Sequence, residues 1–549
     1  MLKDSRIRSS QSQIAIKGTL LAVILFLGGP ASALWAQATD PAKVTTPAGL
    51  DAFFANPANA AQIKTWLQNE QNLLGTSTAS PTPTSVPSQW AATGATHVDK
   101  DHQPPTPGKL TVNQTFAEAQ ASAFGWLLFA FVNSNSGAGT PLRWENWPTD
   151  GETFTDNPTP QSYDKVGSNI KKLNSPALLQ NTSAETNTPV LGTFGLTSNP
   201  PSYAAAVTTT LEEVRRNSYV YNYITGQDDA GTPVGKPLYT QKQLAQYLID
   251  QQPISDADKA SAKTKLTDPK SYVPPATYKD VTLNFPVQSM QVKAEWMPVQ
   301  TGMATSDYVT TTYNSGSGDQ TYVLVGMHVM SKAIPGWYWV SWEHKDNPLY
   351  GRQFNVKGPA YTSVIATANS KPAPLNNDTF GFVTNPDKTE TMTPGLTALL
   401  STAYLDPAGP WGNFRMVVWQ NDATFPVVAS NSIIEAPLYT NSASCITCHG
   451  VASYGGSNKG IGSFAKFDTK YSSLDPLPKG TPPLYLQATT FDKVKLWDNT
   501  TGTLTLNVPK FGATGTPLPP PQKLHFDQVW GFIKAKPDVV TPPTPAKKP

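Results

Sequence analysis

Between Ser444 and Gly450 the chain reads SCITCHG, and Cys445 and Cys448 are its only two cysteines in 549 residues. Disulfide frameworks belong to small, cysteine-dense chains, so a chain this long with one cysteine pair must be held by an apolar core. The composition permits that: 39% of residues are hydrophobic, with 14 Trp, 20 Tyr and 21 Phe. Fifty-one prolines and a charged fraction of 15% favour strands, turns and ordered loops over long helices. Length alone suggests several domains. The cysteine pair needs a local explanation.

Cys445-Ile446-Thr447-Cys448-His449 matches the C-x-x-C-H pattern of covalent haem attachment. In that chemistry two thiols on one turn add to the two vinyl groups of a haem c. His449 then sits under the iron as proximal ligand. One such site means one haem. Other chemistries use similar spacing. A thioredoxin-like redox pair needs a βαβ context, whereas the flanking YTNSAS and GVASYGGSNKG read as loops. Half of a zinc site needs further Cys or His nearby, and the next histidine downstream is His525. A plain disulfide across so small a ring gains little entropy. Covalent haem is the reading the motif favours.

The N-terminus agrees with it. Lys3, Arg6, Arg8 and Lys17 precede the apolar run TLLAVILFLG (19–28), and Ala36-Gln37-Ala38 supplies a small-residue cleavage site. This is the pattern of a signal peptide over 1–38, and the run is far short of the roughly 20 residues that span a bilayer. No later stretch is long and apolar enough to span either, so export to the periplasm is expected, where haem is attached in bacteria. The leader carries four basic residues and one acid, leaving 37 basic against 38 acidic residues. A charge so near balance gives no reason to expect nucleic acid or an anionic membrane as partner.

Haem iron in such proteins commonly takes a second axial ligand, Met or His. The methionines stand at 1, 290, 297, 303, 327, 330, 392 and 416, all upstream of Cys445. Only His525, in KLHFDQVWGFI, follows the motif. The distal side is therefore filled by His525, filled from upstream by His328, His344, Met327 or Met330, or left open.

The chain predicts an α+β protein: a mostly antiparallel, β-rich central domain, N-terminal helices before it, and a C-terminal cytochrome c-like haem segment. Residues 39–110 read as a helical segment followed by a Pro/Ser/Thr-rich linker, STASPTPTSVPSQW. Residues 111–425 read as a mixed helical, then β-rich domain, 426–535 as the haem c-binding segment and 536–549 as a disordered tail. Helices are expected over 49–74 and 115–134, and in TLEEVRRNSYVYNYI and TQKQLAQYLIDQ. Strands are expected in segments from 279 to 346 and in FRMVVWQ (414–420). QTYVLVGMHVM and GWYWVSWEH flank SKAIP and read as a hairpin. A simple register sets His328 opposite Tyr338 and His344 opposite Tyr322. The two histidines then share a face about 20 Å apart, so at most one serves one iron. His344, at the strand end, ranks above His328. Glu343 and Glu435 are further candidates for proton handling, although strand-edge or loop-anchoring roles suit them better. No Walker loop, G-x-S-x-G, H-E-x-x-H or calcium loop is present.

The segments VLVGMHVMSKAIPGWYWVSWEHKDNP, NSIIEAPLYTNSASCITCHG and, more loosely, FGWLLFAFVNSNSGAGTPLRWENWP resemble exported cytochrome c family proteins of Gram-negative bacteria, over roughly residues 115–455. The resemblance implies a monohaem periplasmic cytochrome with a large non-haem domain. Cys445 and Cys448 would carry the thioethers and His449 the proximal bond, and the His328–His344 segment would be a family feature near the haem. The expected function is electron transfer with a redox partner protein or small-molecule donor or acceptor, after loading by the cytochrome c maturation machinery. The alternatives are a haem-dependent oxidoreductase, peroxidase- or oxidase-like, with a substrate pocket in the β-rich domain, and a haem-based sensing or binding protein.

Overall fold

The computed structural model describes residues 40–76, 84–92, 112–134, 142–154, 211–267, 277–299, 303–347 and 378–420 with short interruptions, together with brief stretches elsewhere, among them 180–181, 431, 433–434, His449, 453–454, 484–486, 494–498, 503–505 and 524–525. The expected leader, the tail, Glu435, Cys445 and Cys448 lie outside the described residues.

The fold is α+β. Its centre is an antiparallel sheet in the order β1 (Gln180–Asn181), β2 (Leu211–Arg216), β4 (Met290–Pro298), β6 (Asp319–Ser331), β7 (Tyr338–His344) and β10 (Phe414–Gln420), with β5 (Thr310–Asn314) also paired to β6. The long strands coincide with the Val-, Tyr-, Trp- and Thr-rich segments, as side chains that pack on a pleated surface should. Small sheets join β3 (Val281–Thr282), β11 (Ser453–Tyr454) and β15 (Leu524–His525), then β8 (Phe382–Thr384) and β9 (Glu390–Met392), and finally β12 (Leu484–Leu486), β13 (Val494–Asp498) and β14 (Thr503–Thr505).

The expected helix 49–74 is three helices, α1 (Pro47–Ala55), α2 (Ala60–Trp66) and α3 (Glu70–Leu74). Asn56-Pro57 ends the first, and the Asn69 side chain caps the third by accepting the Asn72 N–H at 2.8 Å. The C-terminal part of the expected linker is helical too, as α4 (Val86–Ala92). Ser85 and Ser88 cap its start reciprocally, and Trp90 is buried against Phe53, Phe54 and Trp66. A buried indole overrides the linker-like composition around it.

α5 (Val112–Asn133) is the central helix, with Phe124, Trp126, Leu127, Leu128, Phe129 and Phe131 all withdrawn from solvent. One core runs from Leu50 in α1 through α5 to the sheet and Trp419 in β10, so the N-terminal helices belong to the same packing unit as the sheet. Among the described residues no helix is long and apolar enough to cross a membrane; from Ala119 to Asn133 the side chains of α5 are buried in protein. Further helices are α6 (Asp150–Thr153), α7 (Ser218–Thr225), α8 (Gln241–Asp250), α9 (Asp256–Thr264) and α10 (Pro394–Thr402), the last against α1.

The expected helix at TLEEVRRNSYVYNYI divides in two. Leu211–Arg216 is strand β2, and only Ser218–Thr225 is helical. Residues two apart share a face in a strand but not in a helix. Glu213 and Arg215 use that spacing for a buried ion pair at 2.6 Å, with the Trp296 indole N–H donating to Glu213 at 3.0 Å. Tertiary pairing outweighs local helix preference here.

Gly125 sets how closely α5 meets the sheet. A Cβ there would stand 2.6 Å from Met416 Cε and 2.9 Å from Tyr338 Oη, whose hydroxyl donates to the Ala121 carbonyl at 2.7 Å. Gly125→Val is expected to destabilise the protein by about 1–3 kcal/mol through overpacking. An unchanged urea midpoint would refute this.

Candidate functional site

The two faces of the sheet have opposite chemistry. One presents Met290, Val292, Ala294, Met327, Val329, Tyr338, Val340 and Trp342 to the core around α5. The alternate residues turn the other way: Lys293 and Glu295 on β4, His328 and Met330 on β6, and Trp339, Ser341 and Glu343 on β7. Most of this second face is polar, yet Ser341 and Glu343 are fully buried.

The β6–β7 register decides which residues lie where. Ser331 pairs with Tyr338, Met330 with Trp339, His328 with Ser341 and Gly326 with Glu343. The connection is therefore six residues, 332–337, and Trp337 closes it with a φ of 61° in the left-handed region. The simple register, His328 opposite Tyr338, is not formed. The pairing is offset by an odd number of residues, which moves His328 and His344 to opposite faces of the sheet.

His344 lies on the α5 side. Its Nε2 is 3.0 Å from the Asp307 carbonyl, and its Nδ1 accepts the Asp346 N–H at 3.2 Å. The ring stacks on Tyr308 at 3.9 Å and meets Phe414 edge-on. Both nitrogens thus have partners within the fold, and burial lowers the imidazole pKa to about 4. The strand-end position that ranked His344 above His328 thus places it among contacts of its own within the fold.

His328 faces the other way. It is partly buried, with Nε2 shielded from solvent. Burial holds its pKa well below the ordinary range, and the charges of Lys293 and His449 push in the same direction. His449 is thus within electrostatic reach of His328. The His449 ring itself packs on Trp339, with centroids 4.3 Å apart and planes inclined by 53°. His449 therefore sits over the face that carries His328 and Met330.

Asn431 ties the chain before the motif to this face. It is fully buried and donates to Ser341 Oγ and to the Trp342 carbonyl, both at 2.9 Å. Its Oδ1 accepts the N–H groups of Ile433 and Ile434. Gly326 makes room for it, since a Cβ there would come within 3.3 Å of Asn431 and 3.4 Å of Ile434. Beyond the motif, Ser453 pairs with His525 across β11 and β15, and β15 runs parallel to β3. The His525 backbone thus lies beside a strand that begins four residues after His449.

Of the other candidates, Met327 belongs to the α5 core, its sulfur 3.6 Å from Asn133 Nδ2. Met330 packs in a cluster with Trp337, Trp339 and Leu524. Glu343 is no strand-edge surface charge: it is buried, 3.4 Å from Asn347 Nδ2. Sequence reasoning missed Trp339 and Asn431. Trp339 was reachable through the hairpin register, whereas nothing in ASNSII marks its asparagine.

No protein-family model, curated protein or solved structure matches this chain.

Asn431→Ala should cost about 1–3 kcal/mol, because it strips partners from buried groups. Hydrogen exchange should speed up at Ile433 and Ile434, and unchanged exchange there would remove the anchoring role. His344 makes a separate prediction. A folded pKa near 4 against about 6.5 unfolded means that the unfolded chain binds the extra proton between those values. Stability is then full above pH 6.5 and falls by about 3 kcal/mol towards pH 4. His344→Gln should flatten this part of the denaturation-midpoint profile, and a profile as steep as that of the parent would exclude His344 as its source.

Proposed function

We propose that the chain is an exported, monohaem c-type cytochrome that transfers electrons. Cys445 and Cys448 carry the thioethers, His449 is the proximal iron ligand, and residues 426–535 form the haem c-binding segment. The observation that carries this reading is the motif CITCH, with its histidine seated on a protein wall. The donor set suits the group: two thiols three positions apart in the sequence, an adjacent imidazole, and the imidazole of His328 and the thioether of Met330 on the sheet face below His449. When bound, the haem supplies an iron that cycles between ferric and ferrous states.

The chain's own residues orient and shield. Trp339 supports the His449 ring, which limits its rotation. Asn431 fixes the approach of the segment that leads to the motif. The sheet face sets Trp339 and Met330 beside buried Ser341 and Glu343, so that side would be shielded from water, the kind of surrounding that tunes a haem potential. Export and haem attachment in the periplasm complete the reading, with the cytochrome c maturation machinery as the loading partner and a redox protein or small donor or acceptor as the working one.

Expression in the periplasm with that machinery should give one haem per chain that resists acid-acetone extraction. The double substitution Cys445→Ser with Cys448→Ser should abolish covalent retention. A parent protein that carries no haem would overturn the proposal and return the cysteines to a redox or structural role.

A further inference from the structure

We infer that His328, from the middle of strand β6, is the second axial ligand of the iron, so that the sheet domain closes the distal side of a haem held by His449. This rests on the cytochrome reading above and deepens it.

The sheet geometry carries the inference. Trp339 touches His449 and pairs directly with Met330, while His328 pairs with Ser341. His328 and Trp339 are thus diagonal neighbours on one face of an antiparallel pair, roughly 7–8 Å apart. A haem iron needs its two axial groups on opposite sides, one from the motif and one facing it. Within β6 and β7, the side chains on this face of the two kinds that commonly complete a cytochrome c iron, His and Met, are His328 and Met330. Met330 belongs to the apolar cluster that holds Trp337, Trp339 and Leu524, whereas His328 lies between Lys293 on β4 and Ser341 on β7.

The other upstream candidates are placed elsewhere. His344 has both nitrogens engaged on the opposite face, and Met327 points into the α5 core. His525 stays within the test, because its backbone lies near the motif.

The holoprotein purified from the periplasm serves for the test. The parent should be low-spin in the ferric state by electron paramagnetic resonance, and its ferrous form should not bind carbon monoxide. His328→Ala should keep covalent haem but become high-spin and bind carbon monoxide, and added imidazole should restore the low-spin spectrum. His328→Met should introduce the long-wavelength sulfur-to-iron charge-transfer band and a higher potential, signatures that a merely structural role for residue 328 would not produce. His344→Ala should leave the spectrum unchanged. The inference is overturned by a parent that is already high-spin, by His328→Ala and His328→Met proteins with parental spectra, or by loss of the low-spin state on Met330→Leu or His525→Ala instead. Each of these leaves a covalent haem and so spares the reading beneath it. Absence of covalent haem from the parent defeats that reading, and the inference with it.

Discussion

The pairing of Ser331 with Tyr338 controls the rest of the site. A hairpin has period two, so an offset by one residue exchanges every side chain between faces. With six residues in the connection, Val340 and Trp342 go to the α5 core, while Trp339 and Ser341 go to the polar face with His328. Trp337 is held at φ 61° in that connection, packed against Phe285 with the Lys332 ammonium 5.5 Å from its ring centroid. A bulky residue adopts this conformation only where its surroundings over-determine it. Burial of Trp337 is thus one support of the register that sorts the two histidines.

The polar face would be ordinary if water covered it, since antiparallel sheets commonly leave one face solvated. Here Ser341 and Glu343 are withdrawn from solvent, and chain beyond residue 430 reaches this face at Ser341 and at Trp339. Groups of this kind are costly to bury without partners. Asn431 meets part of that cost at Ser341, and Asn347 lies 3.4 Å from Glu343. Among the described residues, Asn431 and His449 are the points at which chain beyond residue 430 meets β7.

Much of the architecture was legible in the sequence because it follows local pattern. The α+β class, strands β4 to β7 and β10 of the central sheet and the buried character of 119–134 all follow from residue type and periodicity. What escaped depends on partners distant in the chain. Glu213 and Arg215 look helical until Trp296 and the β4 pairing are supplied. VPSQW looks like linker until Trp90 finds Phe53 and Trp66. At the site, His449 was marked by its motif, but the choice between His328 and His344 turned on the length of one connection. Residue type could not rank them, because a strand-end histidine and a mid-strand histidine differ only in what lies across from them.

If the chain is the cytochrome proposed above, the sheet offers a physical reason for the roughly 400 residues that precede Cys445. With no methionine after Cys448, a short haem segment would have only His525 of its own for the distal side. A wide, stiff sheet whose far face is locked to α5 holds a side chain in the middle of β6 far more firmly than a loop would. On this reading the domain acts as an immovable wall, and the haem segment is fastened to it through Asn431 and Trp339. With His328 as the second ligand, that ligand would come from a paired strand of the fold, where its position would change little between oxidation states. Small rearrangement between those states is what an electron-transfer centre requires, and an open iron suited to peroxide or oxygen chemistry would need that wall to stand back.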